Sequence, residues 1–202
     1  GKNKAGRDRG IPTENVVVDD CTVYHGHGGF VCGSEMSGGI KNVQVSNNLY
    51  IGTDVGLRFK STRGRGGVVE NIYIRDINMV NIPNEGLLFD LFYGGKAAGE
   101  ETEEELAARM NADAPEASEE TPAFRNIVIE NVNGNNLKRA MYFNGLPEMK
   151  IENVTLRNIK MTGKEGALIR QTNGLIIDNV TILPEQGEAF TIAPTVENIQ
   201  RL

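Results

Sequence analysis

Apolar and polar residues alternate in short stretches along the chain, and most of these stretches begin with asparagine. The copies have an Asn followed by alternating apolar residues, a polar pair and one more apolar residue, except that Asn48 ends the second copy and Gly replaces the first Asn in the last. The copies are residues 15–21, 42–48, 71–77, 126–132, 153–159 and 174–180. Alternation with a period of two is typical of half-buried strands, so each copy predicts a β-strand.

A second alternating pattern follows each copy of the first and begins with a small residue, Gly or Ala. Its copies are residues 29–33, 56–60, 86–90, 140–144, 167–171 and 189–193. In both patterns most successive copies start 27 to 30 residues apart, with one doubled step after the third copy and a shorter last step. Two patterns with one period indicate internal repeats, which bury their apolar faces only by stacking on one another.

These repeats predict an all-β solenoid, a parallel β-helix of about six coils that occupies residues 1–202 as a single domain. Strands of successive coils then pair in parallel, and the recurrent Asn predicts ladders of stacked side chains. A leucine-rich repeat has a suitable period, but its Leu-x-x-Leu-x-Leu framework is absent from the chain.

The doubled step indicates an insertion at residues 94–122, an acidic excursion that is rich in Ala and Glu and lacks alternation. Within it, residues 102–105 (Thr-Glu-Glu-Glu) predict a capping box that opens a short helix extending to about Asn111. The excursion is either a solvated loop or a flap over a groove, because it follows directly after the second strand of the third coil.

The register of the second pattern predicts which side chains share the outer face of the solenoid. The first and third residues after the small one are apolar and point into the core, so the second and fourth point outward. Successive coils lie about 4.8 Å apart, so the outward residues align in columns. They are Val31 and Gly33, Arg58 and Lys60, Leu88 and Asp90, Tyr142 and Asn144, and Ile169 and Gln171.

Composition and charge exclude several classes of function. The formal net charge of −6 does not indicate a nucleic-acid partner. No segment approaches the roughly 20 apolar residues of a membrane span, and the polar, basic residues 1–12 do not form a signal peptide. Cys21 and Cys32 could pair only if the fold brought them together, and both are better interpreted as small buried apolar residues. We predict no metal and no cofactor.

The candidate site residues cluster in the first third of the chain. His25 and His27 lie among glycines, which offer His27 no apolar niche and favour a functional role for it, while the role of His25 stays open. His27 also lies just before its strand, at the edge of the outward face. Arg58 and Lys60 are either solvated or part of a site, and their shared face with His27 favours the site.

A carboxylate and a basic loop complete the candidate set. Glu35 either pairs with Arg63 or contacts a substrate, and the Gly-rich loop at 63–67 is either a solvated loop or part of the site. A histidine, a carboxylate and two cations brought together suit an anionic sugar.

Gly26-His27-Gly28, with Arg58-x-Lys60 beginning 31 residues after His27, resembles glycoside hydrolase family 28, the polygalacturonase-like enzymes. The resemblance covers nearly the whole chain and implies a right-handed parallel β-helix that hydrolyses galacturonate-containing, pectic polysaccharide with inversion. It implies that His27 lines the active site and that Arg58 and Lys60 bind a substrate carboxylate near the cleaved bond. The further substrate-binding candidates are Tyr93, which fits the family's downstream tyrosine, then Tyr142, Asp90 and Glu35.

The chain departs from the family pattern upstream of Gly26, where the family has an Asn-x-Asp motif and an Asp-Asp pair. The one Asp-Asp pair here, Asp19-Asp20, belongs to a different strand. We therefore expect the C-terminal portion of a secreted or periplasmic enzyme, inactive as 202 residues alone and prone to self-association through an uncapped N-terminal end. The alternatives are a non-catalytic module that binds acidic polysaccharide and a purely structural solenoid.

Overall fold

The computed structural model describes residues 1–94 and 114–202, which form a right-handed parallel β-helix. Within these residues a short helix, α1 (Lys4–Arg9), precedes the strands. The strands are β1 (Thr13–Asp19), β2 (Thr22–Tyr24), β3 (Phe30–Gly33), β4 (Ile40–Ile51), β5 (Leu57–Lys60), β6 (Val68–Asp90), β7 (Ala123–Asn144), β8 (Ile151–Arg170), β9 (Thr172–Ile192) and β10 (Glu197–Arg201).

Successive coils pair in parallel along the solenoid in the order β1-β4-β6-β7-β8-β9-β10, with β2 on β4, and β5 between β3 and β6. The apolar positions of the first pattern lie opposite one another. Val16 pairs with Val43, Val43 with Ile72, and Ile72 with Ile127. The period of the sequence is therefore the period of the structure, and the predicted fold class is confirmed.

The chain bends around each coil at residues with left-handed backbone conformation, most of which are Asn. Asn42 and Asn71 both have a φ of 55°, which Asn tolerates because its short amide can hydrogen-bond locally. Nδ2 of Asn71 donates to Oδ1 of Asn42, and Nδ2 of Asn42 donates to Oδ1 of Asn15. The donor–acceptor distance is 3.4 Å in both bonds. The predicted side-chain ladder is confirmed. Because the bends preserve the pairing, β6 to β9 are long bent strands rather than the two or three short strands predicted for each coil.

Aromatic side chains stack along the interior of the solenoid. Phe89 lies between Phe59 and Phe143, with 4.4 Å between ring centroids in each pair, and all three rings are fully buried. A small residue starts each copy of the second pattern because the chain passes close to its neighbours there. A Cβ on Gly29, for example, would overlap the ring of Tyr50. The outward-facing residues of the same strands thus rest on a dense apolar layer.

The N-terminal residues form a helix that was not predicted from the polar residues 1–12. None of the residues of α1 is buried, so the helix does not extend the apolar core. In the described part of the chain β1 pairs only with β4, and Val17 on β1 is 66 % exposed. One edge of the solenoid therefore offers unpaired backbone groups and apolar surface.

Arg7 ties α1 to two parts of the chain that are distant in sequence. Its Nη1 donates to the carbonyl oxygens of Gly64 (2.9 Å) and Arg65 (3.1 Å), and its Nη2 contacts the carboxylate of Glu120 at 2.9 Å. The Arg7 side chain is only 9 % exposed. The N-terminal segment, the glycine-rich loop and the turn at 118–121 thus meet at one junction.

The helix predicted within residues 102–111 lies outside the described residues, as does most of the predicted insertion. Both cysteines are free. Cys32 is buried as predicted, but the interpretation of Cys21 as buried is wrong, because it lies between β1 and β2 on the exposed edge. In residues 1–94 and 114–202, no helix is long and apolar enough to cross a membrane, and no cluster of His, Cys, Asp and Glu could hold a metal ion.

Candidate active site

Arg58 is the centre of the candidate site and faces outward from β5, as its register predicts. It pairs with Val31 of the preceding coil, while Lys60 pairs with Gly33. The guanidinium Nη1 of Arg58 donates to the carbonyl oxygen of His27 over 3.1 Å. Arg58 is only 7 % exposed, and its buried Nε has no partner among the described residues. The alternative of a merely solvated arginine is therefore wrong for Arg58, which is packed against the histidine segment.

His27 projects from the glycine-rich turn before β3 and is 89 % exposed. Its Nδ1 lies 2.7 Å from Oδ2 of Asp54, a residue of the next coil that sequence reasoning did not single out. His27 and Asp54 are 27 residues apart, which is one coil of the solenoid. That spacing is the signal that could have identified the pair.

His25 has a different environment from His27. It adopts a φ of 53° at a bend of the solenoid, and its backbone N–H donates to Ile51. Its ring packs edge-on against Tyr24, with 4.2 Å between centroids. These contacts support a structural role for His25 at the bend.

Tyr93 lies beside both cations of the site. Its ring centroid is 4.5 Å from Nζ of Lys60 and 5.9 Å from Cζ of Arg58, both within the range of cation–π attraction. The backbone N–H of Tyr93 donates to the carbonyl oxygen of Ser61, immediately after β5. The structure thus brings together the predicted residues His27, Arg58, Lys60 and Tyr93 on one face.

Asp90 lies next to Lys60 in register and holds the segment that carries Tyr93. Its Oδ1 accepts a hydrogen bond from the backbone N–H of Phe92 (2.9 Å) and one from Nδ2 of Asn144 (3.2 Å). Asn144 is fully buried. These bonds fix the turn after β6, and contact between Asp90 and a substrate stays a prediction.

Tyr142 lies on the outward face of the fourth coil, in register with Leu88. Burial raises the pKa of its phenol to about 12, so the hydroxyl is protonated and can donate at neutral pH. Cζ of Arg139 lies 5.4 Å from its ring centroid. Tyr142 is thus two coils away from Arg58 along the same column.

The prediction that Ile169 and Gln171 point outward in the fifth coil is wrong, because the outward residues lie one position earlier in the sequence. Leu168 pairs with Tyr142 and Arg170 with Asn144, while Ile169 is fully buried in the core. The physical reason is that Gly166, not Ala167, occupies the small position, where the next coil leaves no room for a Cβ. The second outward residue of the fifth coil is therefore Arg170 rather than Gln171.

Glu85 was missed by sequence reasoning and lies in a column with Arg139 and Glu165. Burial raises the pKa of Glu85, partly offset by Arg139, whose Nη1 lies 3.8 Å from Oε1 of Glu85. Arg139 also donates from Nε to Glu165 over 2.8 Å. The alternating charges at one position of successive coils are the signal that could have revealed this column.

Glu35 lies near the N-terminus, and its predicted pairing with Arg63 is wrong. Its Oε1 is 2.8 Å from Nζ of Lys2, and the hydrogen bond from Lys2 lowers the pKa of the Glu35 carboxyl. Arg63 instead forms a two-pronged pair with Glu148, with contacts of 2.6 Å and 2.9 Å. The loop at 63–67 is therefore anchored to later coils, and a substrate contact of Glu35 stays a prediction.

Known proteins resemble this chain in sequence. Residues 9–183 match the family model for glycosyl hydrolases family 28. A polygalacturonase of Ralstonia nicotianae is 32% identical over 176 residues, which covers 82% of this chain and 29% of that protein. An exo-poly-alpha-D-galacturonosidase of Dickeya chrysanthemi is 35% identical over 82 residues, covering 41% of this chain and 14% of the relative. The chain thus spans less than a third of the length of these relatives.

Solved structures share the fold. A hyperthermoactive exopolygalacturonase from Thermotoga maritima gives a TM-score of 0.75 at 27% identity, covering 94% of this chain and 38% of that chain. The family 28 exopolygalacturonase of Yersinia enterocolitica gives a TM-score of 0.69 at 20% identity, covering 90% of this chain and 30% of that chain. At this identity the likeness shows the fold alone. The family model includes the stretch with His27, Arg58 and Lys60, whose side chains the β-helix gathers on one face. The chain therefore belongs to glycosyl hydrolase family 28.

Proposed function

We propose that these 202 residues carry the uronate-binding part of the active site of a polygalacturonase, which cleaves galacturonate-containing, pectic polysaccharide by inverting hydrolysis. The observation that carries the proposal is the cluster of Arg58 and Lys60 around the ring of Tyr93. Arg58 also donates a hydrogen bond to the backbone carbonyl oxygen of His27. Two cations beside one aromatic ring offer a sugar acid both charge pairing and an apolar contact.

Arg58 and Lys60 bind the carboxylate of a uronate in this proposal. Arg58 supplies a rigid fork of N–H donors, and its buried Nε lacks a partner within the described chain. Lys60 supplies a compact charge at the groove surface, since its side chain is partly exposed. Tyr93 lies beside both cations and is partly exposed, so its ring can pack against a sugar.

His27 lines the groove and relays or tunes a proton beside the catalytic acid. Inverting hydrolysis uses one carboxylic acid to protonate the leaving oxygen and a carboxylate to activate water, roughly 6.5–9.5 Å apart. Residues 1–25 contain neither an Asn-x-Asp motif nor an Asp-Asp pair in the position expected for the family. We therefore propose that the 202-residue chain binds oligogalacturonate but does not hydrolyse it by itself.

Binding calorimetry tests the carboxylate site. Arg58→Ala and Lys60→Ala should each weaken binding of an oligogalacturonate by about 10- to 100-fold, the usual effect of losing a hydrogen bond between charged groups. Binding of the methyl-esterified oligomer, which lacks the negative charge, should change far less. Lys160→Ala removes the same charge from an exposed position in a different column and serves as the matched control. Equal losses for the acid and the ester would contradict the assignment.

A reducing-end assay tests the proposed lack of hydrolysis. The purified chain should release no reducing sugar from polygalacturonate above the level of a His27→Ala variant. Release by the unmodified chain that disappears in the His27→Ala variant would contradict the proposal.

A non-catalytic module that binds acidic polysaccharide is the second candidate. It is favoured by one observation: both cations beside the ring of Tyr93 belong to this chain, so the candidate carboxylate site needs no residue from elsewhere. Hydrolysis of polygalacturonate by a longer form of the protein that includes the residues encoded upstream would exclude it. Both candidates act on a polymer outside the cell, so we propose that the protein is secreted or periplasmic.

A further inference from the structure

We propose that Asp54 is a positioning residue that selects the tautomer and fixes the orientation of the His27 imidazole. Its carboxylate Oδ2 lies 2.7 Å from Nδ1 of His27, within hydrogen-bond distance. The pair connects two coils, since His27 precedes β3 and Asp54 precedes β5. The catalytic meaning of the pair rests on the function proposed above, whereas the geometry does not.

The backbone of Asp54 is fixed from both sides along the solenoid. Its N–H donates to the carbonyl oxygen of Gly26 in the preceding coil over 2.8 Å. Its own carbonyl oxygen accepts from the N–H of Asn84 in the following coil over 3.1 Å. The adjacent Thr53 is fully buried, and its hydroxyl donates to the carbonyl oxygen of Val55 over 2.9 Å. The carboxylate therefore projects from a rigid turn.

The backbone of His27 is also held, so its ring has a defined reach. Nη1 of Arg58 donates to the His27 carbonyl oxygen, and the N–H of Gly29 donates to the carbonyl oxygen of Val55 over 3.0 Å. Val55 follows Asp54 directly in the same turn. The two turns are thus joined by main-chain bonds on both sides of the His27–Asp54 contact, which keeps the ring and the carboxylate at hydrogen-bond distance.

The chemistry of the pair follows from the proton inventory of the two groups. An ionised carboxylate only accepts hydrogen bonds, so Nδ1 of a neutral His27 must carry the proton when it contacts Asp54. Nε2 is then the unprotonated nitrogen, and its lone pair can accept a proton because the His27 side chain is largely exposed. His27 can accept a proton there and return it, and Asp54 stabilises the imidazolium formed in between. Without Asp54 the ring is free to present an Nε2–H donor instead.

The His27–Asp54 pair contributes little to the stability of the fold, so a positioning role of Asp54 can be tested apart from a structural one. The side chains of His27 and Asp54 are 89 % and 45 % exposed, and exposed ion pairs contribute little to stability. Removal of Asp54 should therefore change the tautomer and leave the fold intact.

Nitrogen-15 NMR of the imidazole tests the inference directly in the 202-residue chain. The background variant His25→Asn leaves His27 as the single histidine, and Asn suits position 25 because Asn81 and Asn136 adopt the same left-handed φ at other bends. At about pH 9, where an ordinary imidazole is neutral, the parent should show a protonated Nδ1 and an unprotonated Nε2. Asp54→Ala should at least halve the fraction of the Nδ1–H form, and Asp54→Glu should restore most of it.

The control is Asp178→Ala, which removes a carboxylate that contacts Arg157 elsewhere on the surface and should leave the tautomer unchanged. A neutral His27 protonated at Nε2 in the parent would overturn the inference even if Asp54→Ala failed to fold. An unchanged Nδ1–H fraction in a folded Asp54→Ala would overturn it as well.

Kinetics of a longer, hydrolytically active form of the protein separate this inference from the proposed function. Asp54→Ala should lower kcat by 10-fold or more with KM changed less than 3-fold, and Asp54→Glu should recover part of kcat. A tautomer shift in the 202-residue chain, together with no galacturonate hydrolysis by the longer form, would refute the proposed function and leave the role of Asp54 toward His27 intact.

Discussion

Truncation of Phe89 to alanine is the sharpest test of how the interior of the β-helix supports the outer face. Phe89 is fully buried and lies between Phe59 and Phe143 at 4.4 Å on either side. The Phe59 ring is parallel to it within 2°. Phe59 lies on β5, which carries Arg58 and Lys60 on its outer side, and β6 places Phe89 directly beside Phe59. A cavity at Phe89 therefore opens behind the binding face.

The expected loss of folding stability follows from the burial of the Phe89 ring and from its contacts with neighbouring aromatic rings. Replacing a buried Phe by Ala destabilises proteins by about 3–5 kcal/mol, because apolar contacts are lost and a cavity remains. Truncation of Phe89 removes three aromatic contacts, with Phe59, Phe143 and, edge-on, Phe124. Each is worth about 0.5–1.5 kcal/mol, which places the loss in the upper half of that range. Since repeats support one another only through their neighbours, the coils on either side should loosen together.

Urea unfolding of the 202-residue chain, followed by circular dichroism, measures the effect. Phe190→Ala is the control, because Phe190 is only partly buried, near the C-terminal end of β9. This replacement should lower the free energy of unfolding by about 1–2 kcal/mol. Affinity for oligogalacturonate should fall with Phe89→Ala and stay unchanged with Phe190→Ala. A loss of stability for Phe89→Ala no larger than that of the control would refute the view that the aromatic stack is a rigid backing for the site.

Three further predictions concern charge and the exposed edge. Burial raises the pKa of Glu85, so its ionised form destabilises the folded chain. Glu85→Gln should therefore stabilise the chain at pH 7, with the gain vanishing below the ordinary Glu pKa of about 4.3, and a loss at pH 7 in urea unfolding would contradict this. Burial acts to raise the pKa of Glu148, but the hydrogen bond and the charge of Arg63, together with a backbone hydrogen bond, outweigh burial and lower the pKa. Glu148→Gln should cost about 1.5–3 kcal/mol at neutral pH. This cost should fade as the pH falls through the lowered pKa, and a pH-independent loss would contradict the prediction. The unpaired edge of β1 should make the chain self-associate, so sedimentation should show oligomers that Val17→Lys weakens, whereas a stable monomer of the unmodified chain at tens of micromolar would refute this.

The sequence predicted the solenoid and its outward face because both depend on periodicity. Alternation sets which side chains point outward, and the repeat length sets which coils meet, so Arg58 and Lys60 could be assigned to one face with His27. The same reasoning failed in the fifth coil, where Gly166 and Ala167 are both small and a start at Ala167 turns the charged Arg170 inward. The close approach of the next coil, which excludes a Cβ at Gly166, shows that Gly166 holds the small position.

Contacts made by turns could not be predicted from the pattern. Turns have no periodicity, so the partner of a turn residue depends on how far each turn protrudes from its coil. Asp54 reaches His27 because the two turns stack one coil apart. Glu35 meets Lys2 rather than Arg63 because α1 places the N-terminus beside the segment after β3. Charge alone suggested a plausible partner for Glu35, but it could not specify the position of the helix.

The junction at Arg7 imposes an order on folding during synthesis. Arg7 is made before its acceptors, which are the carbonyl groups of Gly64 and Arg65 and the carboxylate of Glu120. Chains emerge from the ribosome from the N-terminus onward, so more than a hundred further residues must be translated before all the partners of Arg7 exist. Coils can stack one by one as they appear, but α1 can dock fully only after the chain has passed Glu120. The first residues of this chain to be synthesised are therefore among the last to reach their final contacts.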